Sequence, residues 1–268
     1  MQLTEINIYP VKSTRRISLS ECRVLPRGLE GDRRWMLIDD GNTFVTARNH
    51  PRLTLVQGKF TARDLLLTAP GMPALSISLE PVPSATELVT IWRDKCPAVA
   101  VGEAPDRWFS EYLDFNCRLV FMREGDHRPV HPDYATPGDQ VSFADGFPLL
   151  LISEGSLADL NSRLEQPASM RRFRPNIVVD ARDAFAEDRW QRIRIGDVEF
   201  EGVKACSRCV FTTIDPDTGI KDPDLEPLRT LSKYRRRPEG GVFFGQNLIP
   251  RGNGTIRTGD QVEVLQQS

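Results

Sequence analysis

Two cysteines three positions apart are the clearest candidates for chemistry in this sequence. The motif Cys206-Ser207-Arg208-Cys209 can belong to a zinc site, a thioredoxin-like redox pair, a soft-metal site with one thiolate ligand, or buried structural thiols. Zinc needs four ligands, yet there is no second CxxC, and the three histidines all lie before residue 132. A thioredoxin pair opens a helix, whereas the β-branched run 210–214 predicts a strand. The soft-metal thiolate, which the neighbouring cations Lys204 and Arg208 would favour, and the structural thiols remain equal alternatives.

Basic and polar side chains beside predicted turns form a second candidate site. These residues are Lys12, Ser13, Arg33, Arg48, Arg174 and Asn176. Each lies in a short run that, taken alone, is most often a solvated surface. In an anion pocket, Arg supplies a planar fork and Lys a point charge for phosphate oxygens, while Ser13 and Asn176 add neutral hydrogen bonds. The residues therefore predict an anion pocket as the functional alternative to a plain surface.

A single acidic residue, Asp145, lies between the apolar pair Phe143-Ala144 and the pair Gly146-Phe147. If it faces a pocket, desolvation would raise its pKa toward a role in proton transfer. The alternative is a turn acid that caps its own backbone, and the residue pattern alone favours that alternative. The three histidines are expected at the surface. The sequence contains no nucleophile elbow, P-loop or Rossmann glycine fingerprint.

Length, charge and cysteine usage exclude several classes of protein. The chain has 268 residues with 35 Lys+Arg against 37 Asp+Glu, a formal net charge of −2, so it is a poor general binder of nucleic-acid polymers. No apolar run approaches the ~20 residues of a membrane span, and the N-terminal residues carry no secretion signal. Five cysteines, three of them isolated, do not form a disulfide framework. We expect a monomer without membrane contact in a reducing compartment, the cytoplasm.

The elements that must position these residues are predicted to be mainly short strands bounded by Gly and Pro. Predicted strands lie at residues 3–9, 18–25, 35–38, 65–68, 75–79, 87–92, 176–179, 197–203, 209–214, 242–248 and 261–265. Helical spacing is confined to Glu103–Leu113, to a segment that follows a capping box at Ser156, and to residues 226–234. This pattern predicts a mainly β (α+β) fold with a few helices. A weakly marked boundary divides it into residues 1–120 and 121–268.

The sequence around the cysteine pair resembles a known family. The run from Lys204 to Gly219 is similar to the signature of MOSC-domain proteins, closest to the YcbX-like bacterial branch and the mitochondrial amidoxime-reducing component. Similar motifs follow in order along nearly the whole chain, at residues 8–13, 31–33, 45–48, 51–53, 143–148, 153–161, 173–176, 244–247 and 254–260. The resemblance implies an N-terminal MOSC-type β-barrel domain at residues 1–120 and a MOSC β-barrel domain at residues 121–268.

The resemblance also implies a molybdenum cofactor, a pterin dithiolene with a terminal phosphate. By its place in the motif, Cys209 would complete the metal coordination, and Cys206 would be its neighbour. Asp145 falls where the family has an acid near the metal, which makes it the second catalytic candidate. The implied cofactor-binding residues are Lys12, Ser13, Arg33, Arg174 and Asn176, with Arg48 and Ser153 as additions.

The implied reaction is the reduction of small N-hydroxylated substrates: amidoximes, hydroxylamines and N-hydroxylated purines. No cysteine follows residue 209, so the ferredoxin-type domain of many YcbX-like chains is not expected here. Electrons would come from a separate donor protein, a flavoprotein reductase or an iron–sulfur or cytochrome carrier. The alternative function is a carrier that binds the cofactor or its sulfur without turnover, since MOSC domains also occur fused to cofactor sulfurases. That alternative requires a pyridoxal-dependent partner, because this sequence shows no pyridoxal domain.

Overall fold

Short β-strands dominate the computed structural model of this protein, which describes residues 1–80 and 85–268. The strands are β1 (Leu3–Ile8), β2 (Ile17–Leu19), β3 (Glu21–Leu25), β4 (Gly28–Leu29), β5 (Trp35–Ile38), β6 (Gln57–Phe60), β7 (Asp64–Thr68), β8 (Leu75–Ser78), β9 (Thr86–Ile91), β10 (Asp94–Ala100), β11 (Arg118–Phe121), β12 (Leu149–Ser153), β13 (Ile177–Val179), β14 (Trp190–Ile195), β15 (Val198–Arg208), β16 (Val242–Pro250), β17 (Gly254–Arg257) and β18 (Val262–Gln267). The α-helices of the described residues are α1 (Glu103–Leu113), α2 (Glu154–Asn161) and α3 (Leu228–Tyr234). None of the helices in this part of the chain has the length and apolar character needed to cross a membrane. The predicted mainly β (α+β) fold is confirmed.

An eight-stranded sheet joins the two ends of the chain. Its strand order is β18-β14-β15-β16-β12-β13-β1-β2. β1 pairs antiparallel with β13, with Ile6 opposite Ile177, and β13 lies parallel to β12. Two strands from the start of the chain therefore belong to a sheet whose other members all follow residue 148. The predicted boundary at residue 120 does not separate the hydrogen-bonded sheets, because β1 and β2 complete the sheet of the C-terminal half.

Three smaller sheets complete the frame, and apolar clusters pack against the sheets. The sheets have the orders β5-β11-β10-β9, β17-β3-β4 and β6-β7-β8. One cluster lies on the eight-stranded sheet and includes the fully buried Ile6, Leu151 and Phe200. Another includes Phe109 of α1 and Leu119 of β11. Burial of these side chains drives the folding of the sheets and fixes the strand ends from which polar residues project.

Helix periodicity predicted α1 well and the start of α2 less well. The predicted helix Glu103–Leu113 is confirmed over the same bounds. α2 begins earlier than its predicted capping box, because its N-cap is Ser153 and not Ser156. Ser153 ends β12 in an extended conformation, as an N-cap requires, and its Oγ accepts a hydrogen bond from Ser156 N at 3.1 Å.

The segment that follows Cys209 is a 3-10 helix, Val210–Thr213, so the predicted strand at residues 209–214 is wrong. Its threonine hydroxyls bond back along the chain. Thr212 Oγ1 donates to Cys209 O at 2.9 Å, and Thr213 Oγ1 donates to Val210 O at 2.8 Å. These local bonds stabilise a tight turn and override the strand preference of β-branched residues. Cys209 therefore lies between the last residue of β15 and the start of this turn.

Candidate functional site

One cleft brings together most of the residues selected from the sequence. It is lined by Lys12, Ser13, Arg33, Arg48, Asp145, Arg174, Asn176 and Cys209, and also by Phe147, Phe173, Cys206, Ser207, Arg208, Phe211 and Asn247. The large sheet explains part of this convergence. Lys12 follows β1 and Asn176 precedes β13, and the end of β1 lies beside the start of β13 because the two strands are antiparallel. Asp145 precedes β12, whose start lies on the same side because β12 and β13 are parallel.

Three residues of the cleft hold their backbone in the left-handed region. The φ angle is 73° at Ser13, 47° at Arg33 and 58° at Arg174. Residues with a side chain occupy this region at a cost of roughly 1–3 kcal/mol each, and such residues cluster at functional sites. The backbone strain thus lies where the polar side chains converge, as expected for a binding site.

Asp145 accepts hydrogen bonds from two cations. Lys12 Nζ lies 2.5 Å from its Oδ1, and Arg48 Nη2 lies 2.6 Å from its Oδ2. Desolvation by the surrounding protein atoms opposes ionisation of the carboxyl, but the two cations outweigh it and hold the pKa of Asp145 well below its usual range. The predicted rise in this pKa is therefore wrong, because the apolar neighbours in the sequence did not show the two cations that the fold supplies. Asp145 is an ionised carboxylate with 52% of its side chain exposed in the cleft.

Lys12 is the buried partner in this contact. Its side chain is 6% exposed, and Nζ also donates to Phe143 O at 2.7 Å. Burial lowers the pKa of Lys12 to about 8, although the charge of Asp145 opposes the shift. The ammonium is still protonated at neutral pH, yet it releases a proton more readily than an exposed lysine does.

Two further arginines stack on the buried ring of Tyr9. The guanidinium carbons of Arg33 and Arg174 lie 4.3 and 4.0 Å from the ring centroid. Arg33 Nη1 donates to Asp32 Oδ2 at 2.6 Å and to Asn176 Oδ1 at 3.0 Å, so the Asn176 amide holds Arg33 in place. Burial lowers the pKa of Arg174 to about 10, which leaves it a cation at neutral pH. The two guanidinium groups form a fixed positive wall of the cleft.

Two guanidinium N–H groups at the cleft lack a hydrogen-bond partner within the described residues. They are the buried Nε atoms of Arg48 and Arg208. The rest of the Arg208 side chain is fixed, since Nη1 contacts Cys206 Sγ at 3.0 Å and Nη2 donates to Phe173 O at 2.6 Å. A buried unsatisfied donor costs about 1–3 kcal/mol, so both groups favour a ligand that supplies acceptors. From the sequence, Arg208 was considered only as a cation beside the cysteines. Its place inside the CxxC motif could have marked it as a residue of the binding site.

Ser153 lies away from the cleft, which corrects its assignment as a cofactor-binding residue. Its side chain is fully buried at the start of α2. Its Oγ lies 2.8 Å from Ser156 Oγ and donates to Glu187 Oε2 at 2.9 Å, while its backbone N donates to Glu187 Oε1 at 3.1 Å. Ser153 therefore caps a helix and satisfies a buried carboxylate, which is a structural role.

The five cysteines divide by burial. Cys209 is exposed and Cys206 is half-buried, whereas Cys22, Cys96 and Cys117 are buried. Burial raises the pKa of Cys22 to about 12 and the pKa values of Cys96 and Cys117 to about 11, which makes these thiols unreactive. Across residues 1–80 and 85–268, no group of three or more His, Cys, Asp and Glu side chains is placed to hold a metal ion. A metal at Cys209 would therefore take its other ligands from a cofactor.

Comparison with known proteins identifies the family. The MOSC N-terminal beta barrel domain matches residues 1–116, and the MOSC domain matches residues 138–263. Human mitochondrial amidoxime-reducing component 1 is 37% identical over 281 residues, which cover 99% of this chain and 83% of that protein. The chain belongs to the MOSC-domain family of the mitochondrial amidoxime-reducing components.

Other amidoxime-reducing components show comparable similarity. The mouse component 1 is 39% identical over 284 residues, with 99% of this chain and 82% of the mouse protein covered. The human component 2 is 36% identical over 276 residues, with 95% of this chain and 81% of that protein covered. The resemblance recognised in the sequence is confirmed. The cleft lies across both MOSC regions, because Lys12 and Arg33 belong to the N-terminal match and Asp145 and Cys209 to the C-terminal one.

Proposed function

We propose that this protein is a molybdenum-cofactor-dependent reductase of N-hydroxylated compounds. The observation that carries the proposal is an exposed cysteine of the MOSC motif, Cys209, at a cationic cleft with unsatisfied donors. The relatives that cover almost the whole chain are named for the reduction of amidoximes. The substrate is then a small N-hydroxylated molecule.

The cleft fits the cofactor in charge and in donor chemistry. A pterin dithiolene with a terminal phosphate is anionic and rich in hydrogen-bond acceptors. The buried Nε groups of Arg48 and Arg208 can donate to such acceptors, and Cys209 can supply the protein thiolate. The residues that would hold the phosphate and pterin are Lys12, Ser13, Arg33 and Arg174, with Asn176 fixing Arg33. When bound, the cofactor would supply the two-electron redox centre.

The reaction consumes two electrons and two protons. An amidoxime, R–C(NH2)=N–OH, takes them up as its N–O bond breaks, and the products are an amidine, R–C(NH2)=NH, and water. Lys12 holds a proton on Nζ at the edge of the cleft, and its pKa of about 8 suits a proton donor at neutral pH. Asp145 stays ionised, so we assign it to the positioning of Lys12 and Arg48 and not to the donation of its own proton.

The electrons come from a separate donor protein. Among the described residues, no cluster of metal-ligating side chains offers a second redox centre. A flavoprotein reductase or an iron–sulfur or cytochrome carrier has the required chemistry. The cytoplasmic location and the monomeric state stay predictions.

Turnover with an artificial donor tests the proposed function. Protein from a host that makes the cofactor is mixed with benzamidoxime and reduced methyl viologen, and benzamidine is quantified by chromatography. We expect benzamidine formation that requires both the protein and the donor. Protein that contains molybdenum but forms no benzamidine would instead support the carrier function, which the exposed position of Cys209 also suits.

A further inference from the structure

An exposed tryptophan lies beside the cleft. Trp35, Trp108 and Trp190 are buried, whereas Trp92 is 53% exposed. A large aromatic ring in water forgoes the stabilisation that burial or contact with a ligand would supply. Packing in an apolar core therefore does not explain why a tryptophan occupies position 92.

The backbone at Trp92 favours a smaller residue. Trp92 begins the two-residue turn between β9 and β10, in which Ile91 pairs with Asp94. Its φ angle is 56°, in the left-handed region that Gly and Asn adopt most easily in such turns. Because a small residue would form this turn with less strain, the conformation indicates that the ring itself has a role.

Two contacts fix the ring at the rim of the cleft. The guanidinium carbon of Arg48 lies 4.7 Å from the Trp92 ring centroid, and the Phe44 ring lies 5.1 Å away at 57°. The same guanidinium donates to Asp145 Oδ2 at 2.6 Å. Arg48 therefore contacts both the Trp92 ring and the carboxylate of Asp145 in the cleft.

The hairpin that carries Trp92 is anchored to the loop that carries Asp145. Asp94 accepts hydrogen bonds from Arg128 Nε and Nη2 at 3.0 and 2.8 Å. Arg128 is 1% exposed, and it also donates to the carbonyl oxygens of Ala144 and Asp145 at 2.5 and 2.9 Å. A buried guanidinium thus sets the distance between the Trp92 turn and the Asp145 loop.

We propose that Trp92 is a specificity-determining residue, whose exposed ring stacks on the planar group of an N-hydroxylated substrate bound in the cleft. The inference rests on the proposed reductase function. Arg48 covers one part of the ring, and the exposed part is available to a ligand. A ring-bearing substrate gains a stacking contact there, whereas a compact substrate such as hydroxylamine gains none. Trp92 therefore favours planar substrates over compact ones.

Kinetics with two substrates test the assignment. We expect Trp92→Ala to lower the ratio of kcat/KM for benzamidoxime to kcat/KM for hydroxylamine by about fivefold to tenfold, through the KM for benzamidoxime. Trp92→Phe should restore most of the ratio, because it keeps an aromatic face. Leu88→Ala is the matched control, since Leu88 is a 60% exposed apolar residue of β9 in the same hairpin, and it should keep the wild-type ratio. An unchanged ratio in Trp92→Ala would overturn the assignment.

A fluorescence titration separates this inference from the proposed function. Because Trp92 is the most exposed of the four tryptophans, its emission lies at the longest wavelengths. Benzamidoxime added to cofactor-loaded protein without an electron donor should quench that component in the wild type and not in Trp92→Phe. If the wild type reduces neither compound, the proposed function fails, and the quenching alone decides the assignment of Trp92. Equal quenching in both proteins, or none in the wild type, would overturn it.

Discussion

Lys12 Nζ lies 2.5 Å from Asp145 Oδ1, although 133 positions separate the two residues in the sequence. The contact joins the segment after β1 to the segment before β12, and Arg48 binds the second carboxylate oxygen. Asp145 is consequently held between two cations as an anion, and burial makes Lys12 release its proton more readily than an exposed lysine does. The acid–base chemistry of the cleft therefore depends on the pair and not on either residue alone.

Removal of the Asp145 charge should move the alkaline limit of activity. The carboxylate raises the pKa of Lys12, so Asp145→Asn should lower that pKa below about 8. The protonated fraction of Lys12 at pH 7.5 then falls, and the alkaline limb of the kcat/KM profile shifts to lower pH. Asp133→Asn, which removes an exposed acid outside the cleft, should leave the profile in place. If Asp145→Asn kept full activity and an unchanged pH profile of kcat/KM, Asp145 would have no role in the mechanism.

Thiol labelling should distinguish the cleft cysteines from the buried ones. In cofactor-free native protein, we expect the exposed Cys209 to react first with a disulfide reagent and the half-buried Cys206 more slowly. The three buried thiols should react only after denaturation, because burial raises their pKa values and blocks access. Cys209→Ser should remove the fast phase. A fast phase that persists in this variant would contradict the exposure assigned to Cys209.

Ser153→Ala should destabilise the protein without removing the cofactor. The variant loses the N-cap of α2 and a hydroxyl donor to the buried Glu187, which together amount to about 1–3 kcal/mol of the free energy of unfolding. Urea denaturation measures this change. Ser162→Ala is the control, because its exposed hydroxyl donates only to Asp159 O at the other end of the helix. If Ser153→Ala had normal stability but had lost its molybdenum, Ser153 would be a cofactor-binding residue after all.

Arg128→Met should be strongly destabilising. The substitution leaves buried carbonyl oxygens at residues 142, 144 and 145 without their donor and separates the Trp92 hairpin from the Asp145 loop. We expect a loss of about 3 kcal/mol in the free energy of unfolding, measured by urea denaturation. Arg23→Met removes an arginine that is 63% exposed and pairs with the exposed Glu30, so it should cost far less. Equal losses in the two variants would show that Arg128 does not hold the Trp92 hairpin and the Asp145 loop together.

Residue type was enough to select the cleft residues but not to predict their interactions. Lys12, Arg33 and Arg174 were predicted as an anion pocket, and the pairing of β1 with β13 brings their segments together. The pKa of Asp145 depends on Lys12 and Arg48, which are 133 and 97 positions away, so its apolar sequence neighbours predicted the wrong direction.

Local residue patterns predicted a helix correctly but failed where long-range pairing or side-chain hydrogen bonds decide the backbone conformation. The helix Glu103–Leu113 was predicted correctly because its apolar spacing coincides with the side that packs on the core. The strand predicted at residues 209–214 failed because threonine hydroxyls bond to the nearby backbone there. Trp92 was assigned to the end of a strand at residues 87–92, since an aromatic residue after a β pattern extends that pattern. Its turn conformation depends on the pairing of β9 with β10, which sequence alone does not show.

The molybdenum content of the purified protein tests the central claim most directly. Wild type, Cys209→Ser and Cys206→Ser are produced in the same cofactor-competent host and measured by mass spectrometry of the metal. Cys206→Ser is the matched control, because it removes the other thiol of the motif. We predict near-stoichiometric molybdenum in the wild type, most of it retained in Cys206→Ser and lost in Cys209→Ser. A wild type without molybdenum, or full retention in Cys209→Ser, would contradict Cys209 as the cysteine that binds the metal.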